Sequence, residues 1–335
     1  MQNRAFRGKT RRNKTIKQPK TIAKQKNNQK RLQKRQTDIK ISLEGGYIMV
    51  NYVSLIIDVE KSKKYGVEDR NVMQHYLYTC VKKLNYLFGE EIQCEVTFSA
   101  GDELQGLFNN VVAAISYFRI LELLMKPVNL RAGIGVGEWT VKMEEGLSTQ
   151  QDGPAYHRAR QAIEEVYEKK LQNIRICSEE NDVLANHLIN SSLPLKRQQI
   201  YMQNIVQVLL ELLFPIVHRF TNLNRIDVVS ELLQIKFEYK LGSRRLTKSN
   251  ILMERGSLDL QHIPEASPIY IDGEILDEES VIIKKNTATI IANILQCSRQ
   301  NVDNIMRRGN ANKIRELDYV ALQYVETVYG GKVWN

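Results

Sequence analysis

The chain is poor in cysteine, in long apolar runs and, outside one segment, in net positive charge. Its four cysteines, Cys80, Cys94, Cys177 and Cys297, lie far apart among 335 residues with no paired spacing. Neither a disulfide framework nor a zinc site is indicated, and a reducing cytoplasm is the expected compartment. The most apolar stretch, Ile205 to Val217, is too short to cross a bilayer and is broken by Gln207, Glu211 and Pro215. It reads as a buried helix, and no membrane partner is expected. The first residues also lack the apolar centre of a secretory signal.

Net positive charge is confined to the start. Residues 1–48 hold fifteen Lys and Arg against Asp38 and Glu44, a net of +13; the whole chain carries +10, so the other 287 residues sum to −3. With no apolar periodicity, this extension cannot offset its ordering entropy and is expected to be disordered. Two readings of it stand. A basic arm binds phosphate backbones non-specifically. Alternatively, Glu44-Gly45 is what a purine-rich ribosome-binding sequence encodes when translated, and it lies a short distance before Met49; translation then starts at Met49.

Beyond that point the residues pattern into alternating elements. Tyr52 to Ile57, YVSLII, is a nearly continuous apolar run, as in a central strand covered on both faces, and it ends in Asp58. A polar loop with Glu60, Lys61 and Lys63 leads to an amphipathic helix over 69–88, with Val72, Tyr76, Cys80, Leu84 and Leu87 on one face. Cys94 to Phe108, CEVTFSAGDELQGLF, reads as a β-hairpin with Gly101, Asp102 and Glu103 at its tip. A helix over 111–124 and a strand over 130–136 follow. The expected fold class is α+β: the order is β-α-β-β-α-β, the split arrangement of a ferredoxin-like sheet, in a domain spanning 49–178. Right-handed crossovers set the first strand beside the hairpin, which brings Asp58 near Asp102.

Two carboxylates converging on a turn repel each other unless a cation sits between them. Oxygen ligands of this kind suit Mg²⁺ or Mn²⁺, with the remaining positions taken by water and a triphosphate. Asp58 and Asp102 are the candidate metal ligands, Glu103 is their acidic neighbour, and Gly101 gives a ligand access to the backbone. Lys61 is placed to reach phosphates, and His157 is a candidate acid or base. The alternative is that Gly101-Asp102 is turn chemistry alone and the lysines are an exposed loop's ordinary charges.

The phrases YVSLIID, FSAGDELQGLF, LRAGIGVGE and DGPAYHRARQAI, in that order over about residues 51–163, resemble the SatD family of bacterial proteins. More distantly, they are similar to the nucleotidyl cyclase and polymerase fold of class III adenylate cyclases, GGDEF diguanylate cyclases and CRISPR-type polymerase domains. There an aspartate ends the first strand, as Asp58 does, and acidic residues stand at the hairpin tip, as Asp102 and Glu103 do. The resemblance implies a nucleotidyl-cyclase-like domain that takes a ribonucleoside triphosphate, with Arg158 or Arg160 as a phosphate clamp. It departs at Phe98, where class III cyclases carry a purine-recognising lysine. It departs again at His157 and Gln161, where they carry an asparagine and an arginine. Base choice and turnover stay open.

The second half, 179–335, is expected to be all-helical, including 199–220 and 225–240. Residues 287–309, TATIIANILQCSRQNVDNIMRRG, read as a helix-turn-helix: Gln296-Cys297-Ser298 makes the turn and Ser298 caps the second helix. Ser298, Arg299, Gln300, Asn301 and Asn304 are then the candidate DNA-binding residues. Many such turns carry glycine where Gln296 stands. Residues 225–256 resemble a second, weaker copy, and 312–329 a closing helix suited to a homodimer. The first functional reading couples nucleotide binding, with or without nucleotidyl transfer, to DNA binding. The alternative is a transcription regulator whose cyclase-like domain only senses a ligand, and a protein-interaction module is a third.

Overall fold

The structure is a computed structural model. It describes residues 51–330 apart from 144–145, 170, 220, 222–224, 240–257, 262 and 277–278. The expectations for residues 1–48 and for most of the second helix-turn-helix copy lie outside the described residues. Those described belong to one compact unit, Met49–Val333.

That unit is mixed α+β. β1 (Tyr52–Val59) is followed by α1 (Val67–Leu87), β2 (Ile92–Ala100), β3 (Glu103–Phe108), α2 (Val111–Met125) and β4 (Leu130–Gly137). A loop then leads to α3 (Pro154–Glu168) and β5 (Ile174–Cys177). The strand order is β2-β3-β1-β4-β5, antiparallel except for β4 and β5. β5 is an addition to the expected set. Its four residues, IRIC, are too short to stand out by alternation, and it pairs in parallel only because α3 carries the chain back along the sheet.

The strand period of two sorts β1 into two faces. Val53, Leu55 and Ile57 join the core with α1 and α2, whereas Ile56 packs on Ala159 and Ile163 of α3. The glycines of β4 explain how α3 approaches. A Cβ on Gly133 would come within 2.4 Å of the Ala159 carbonyl oxygen, and one on Gly135 within 2.0 Å of the Ala155 carbonyl oxygen. The alternation Gly133-x-Gly135 therefore serves backbone-to-backbone packing of helix on strand.

α2 is buried along its whole length, and eight further helices follow β5 among the described residues. These are α4 (Val183–Ile189), α5 (Leu193–Gln198), α6 (Tyr201–Leu213) and α7 (Ile226–Glu238), then α8 (Glu279–Ile282), α9 (Thr287–Ile294), α10 (Arg299–Arg308) and α11 (Ala311–Tyr329). Three expectations need correction. Val72 is exposed, and the buried face of α1 is built instead on Met73, Tyr76, Leu77, Cys80, Val81 and Leu84. The apolar run 205–217 is not one helix. Pro215 disfavours helical backbone at Phe214, so α6 stops at Leu213, and β6 (Ile216–His218) pairs in parallel with β7 (Ile269–Ile271), so that the second half is not all-helical as expected.

Candidate functional site

The hairpin tip is a two-residue loop, with Ala100 facing Glu103 in register and Gly101 at φ +63°. A left-handed φ at the first central position is what a two-residue hairpin loop asks of glycine. Asp102 is thereby held at the end of β3, next to the end of β1. Asp58 shares Ile56's parity and so projects to the α3 side of the sheet.

On that side the acidic residues are joined by two arginines. Arg131 stands directly opposite Asp58 across the β1–β4 ladder, and its guanidinium donates to Asp58 Oδ2 at 2.9 Å. The Tyr167 hydroxyl donates to the same oxygen at 3.3 Å, while the Arg131 guanidinium lies 4.0 Å from the Tyr167 ring centre. Arg160, two helical turns before Tyr167 on α3, holds Glu103 with both terminal nitrogens, at 2.6 and 2.8 Å. Ser99 donates to Glu103 as well, at 2.7 Å. Asp102 differs from its neighbours: its Oδ2 is buried without a hydrogen-bond partner.

The electrostatics follow from these contacts. Burial pushes the Asp58 carboxyl above the usual range; the Arg131 hydrogen bond opposes this and the nearby Asp102 charge adds to it. Burial also acts on Glu103, but Arg160 and Ser99 outweigh it and hold that carboxyl low. Its hydrogen bond to Glu103 raises the Arg160 guanidinium further.

The other anticipated residues sit elsewhere. His157 is exposed and 3.3 Å from Asp152. Arg158 donates to the Val136 carbonyl at 2.7 Å and to Glu179 at 2.6 Å, tying α3 to the far end of β4. Lys61 adopts φ 59° in the first loop and pairs with Glu60 at 3.4 Å. Phe98 lies opposite Leu104 on the α1 side of the sheet, away from Asp58, where it lines a cleft of about 600 Å³ between α1, β2 and α7. Ser298 caps α10, accepting from the Asn301 amide at 3.2 Å. Arg299, Gln300 and Asn301 are exposed and Asn304 half-buried, with Arg299 3.6 Å from Asp303 and Asn304 accepting from Arg307.

Arg131 and Tyr167 were not anticipated. Arg131 is the one charged residue in an otherwise apolar and glycine strand, and Tyr167 follows Arg160 by seven positions, hence on the same helix face. Both signals stood in the sequence, but the antiparallel register that sets Arg131 against Asp58 did not. Among the described residues no three His, Cys, Asp or Glu side chains converge as a metal-binding set. A divalent ion would have two protein carboxylates, Asp58 and Asp102. Asp102's unpartnered buried oxygen fits one, and a small hard cation completes such a shell with water and phosphate oxygens.

Fold and site together define a mixed α+β protein with a five-stranded sheet and a carboxylate–arginine network at one end of it. The chain belongs to the SatD family, whose profile matches residues 52–244, more than half its length and all five strands. No curated protein matches it. Among solved structures it is similar to a bacterial light-regulated adenylyl cyclase, at 14% identity and a TM-score of 0.29, over 38% of this chain and 76% of that one. A second structure described in the same terms matches at 11% identity and a TM-score of 0.28, over 47% of this chain and 54% of the other. At those scores the likeness carries no argument about fold or activity. Among the described residues no helix is long and apolar enough to cross a membrane.

Proposed function

We propose that the end of the sheet binds a ribonucleoside triphosphate together with Mg²⁺ or Mn²⁺. The observation that carries this reading is Asp102, whose buried Oδ2 lacks a partner while its charge raises Asp58 beside it. A buried, unsatisfied carboxylate oxygen is costly and calls for a partner. Asp58 and Asp102 hold the ion. When bound, the ion neutralises phosphate charge, the chemistry a nucleotidyl transfer would need. Arg160 and Arg131 are within the same network to meet phosphate oxygens, in the planar two-point manner that suits guanidinium groups. The test is thermal unfolding of the full chain with each of the four ribonucleoside triphosphates, with and without Mg²⁺. A metal-dependent rise in midpoint for at least one nucleotide, absent in Asp102→Asn, is expected by mass action. No rise with any of the four sinks the proposal.

A second reading, DNA binding through α9 and α10, is favoured by Gln296. It occupies φ 50° in the turn between the two helices, the left-handed backbone for which helix-turn-helix turns commonly use glycine. Gel-shift titration with upstream DNA at two salt concentrations, on wild type and Gln300→Ala/Asn301→Ala, separates base reading from charge attraction alone. Unchanged binding in the variant removes this face as the reader.

A further inference from the structure

The sheet-end network shows an arrangement at odds with a site waiting for a cation. Of its three carboxylates, Asp58 is taken by Arg131 and Tyr167, and Glu103 is taken on both oxygens by Arg160. Only Asp102 is left with a buried unpaired oxygen. Three acidic and two basic side chains leave a net of one negative charge, too little to draw in a divalent ion strongly. The arginines are not locked in place by burial. Arg160's side chain is 45% exposed and Arg131's 22%, and neither has a second carboxylate partner among the described contacts. Arg131 lies against the flat face of Tyr167, a contact that orients the planar guanidinium while its hydrogen-bonding edge changes partners.

Resting on the function proposed above, we infer that Arg131 is a phosphate-binding residue of this site, paired with Arg160. Both are stored on the acidic side chains until an oligophosphate arrives. The incoming anion takes over the guanidinium groups, and Asp58 is released to join Asp102 around the cation. Cation and oligophosphate therefore bind together: neither the metal alone nor the phosphate alone has an open site. Tyr167 acts as the positioning residue for Arg131. No covalent step is involved, only an exchange of ion-pair partners.

Calorimetric titration of the full chain tests this with two probes, Mg²⁺ alone and inorganic triphosphate with Mg²⁺. Wild type should take up triphosphate with Mg²⁺ and show no saturable Mg²⁺ binding by itself. Arg131→Gln, which leaves Asp58 with the Tyr167 hydroxyl and no counter-charge, should bind Mg²⁺ alone at least about tenfold more tightly than wild type while losing affinity for triphosphate, as expected from removing one partly solvated charge contact. Arg160→Gln is the second variant, and a cooperative melt of each certifies that it is folded. If wild type binds Mg²⁺ alone as well as it binds Mg²⁺ with triphosphate, the coupled exchange is wrong although the nucleotide site stands. Triphosphate binding that is unchanged in Arg131→Gln removes that residue from the phosphate set. Absence of binding with both probes present overturns the site and the inference together.

Discussion

Among the described residues two carboxylate–arginine networks stand in contrast, one saturated and buried and the other with polar atoms left unpaired. The first lies where α2, α5, α6 and α11 meet. Arg119 donates to Asp318 and Glu211, Arg315 to Glu211, and Lys196 and Ser192 to Asp318, and the charged side chains are between 2% and 7% exposed. None of these atoms is left unpaired. The second is the sheet-end network, whose paired side chains are between 16% and 45% exposed and which leaves Asp102 Oδ2 and Arg131 Nε unsatisfied. A saturated buried network has no state to change into short of undocking its helices. An open one can trade partners at small cost.

The largest expected effect is therefore on the buried side. Asp318→Ala takes away the carboxylate of Lys196 and leaves Arg119 to share Glu211 with Arg315, and should cost about 3–5 kcal/mol, read from urea unfolding. Asp58→Ala at the sheet end should cost less by the same measurement, about 1–2 kcal/mol, because Asp58 and Arg131 are 17% and 22% exposed and water still reaches the pair. Equal losses would erase the distinction.

Packing supplies the next test. Gly135→Ala places a methyl where the backbone of α3 now lies and should cost about 1–3 kcal/mol. Because Arg160 and Tyr167 ride on α3, nucleotide-dependent stabilisation should fall with it. Retained stabilisation would show that the site does not depend on how closely α3 is seated.

The two networks should also differ in the sign of their pH dependence. Burial disfavours the Asp318 carboxylate, but Arg119 and Lys196 prevail and its carboxyl is held low. Its contribution is thus fully present above the unfolded-state value and is lost as pH falls through the lowered one. Asp58 is raised, chiefly by burial, so its contribution is present below the unfolded value and is lost as pH rises through the raised one. Subtracting the stability profile of Asp58→Asn from wild type should give a slope opposite to that for Asp318→Asn. A third buried charge adds a window of its own. Lys236 donates to the carbonyls of Leu124 and Lys126 at 2.8 Å, and burial brings its amine down to about 7. The unfolded state then binds the extra proton between that value and the ordinary lysine range, and stability should climb with pH across that interval. Lys236→Met should flatten the climb.

The smallest effect belongs to the first loop. Lys61 holds a left-handed φ of 59°, and its side chain, 64% exposed, pairs with Glu60 alone among the described contacts. Lys61→Gly should leave stability unchanged or raise it by up to about 1 kcal/mol, as judged by the melting midpoint.

Much of this was legible beforehand, for identifiable reasons. The strand and helix order through β4 follows from periods of two and 3.6, and the hairpin tip from Gly101-Asp102. Asp58 and Asp102 came together because right-handed crossovers leave little choice. What stayed hidden needed register or tertiary contact. Arg131 opposes Asp58 only in one of many alignments of β1 with β4. β5, β6 and β7 have three or four residues each, too few for a pattern, and the exposure of Val72 reflects how α1 is rotated against the sheet, which an amphipathic face 100° wide does not fix.

In the function proposed above, Asp58 and Asp102 share a divalent ion when a nucleotide is bound. Anomalous diffraction at the manganese edge, from crystals grown with Mn²⁺ and a non-hydrolysable ribonucleoside triphosphate, locates that ion. A peak between the two carboxylates is expected, with Arg131 and Arg160 turned onto phosphate oxygens. A nucleotide-bound structure with no peak there, and with both arginines still on Asp58 and Glu103, would contradict that function.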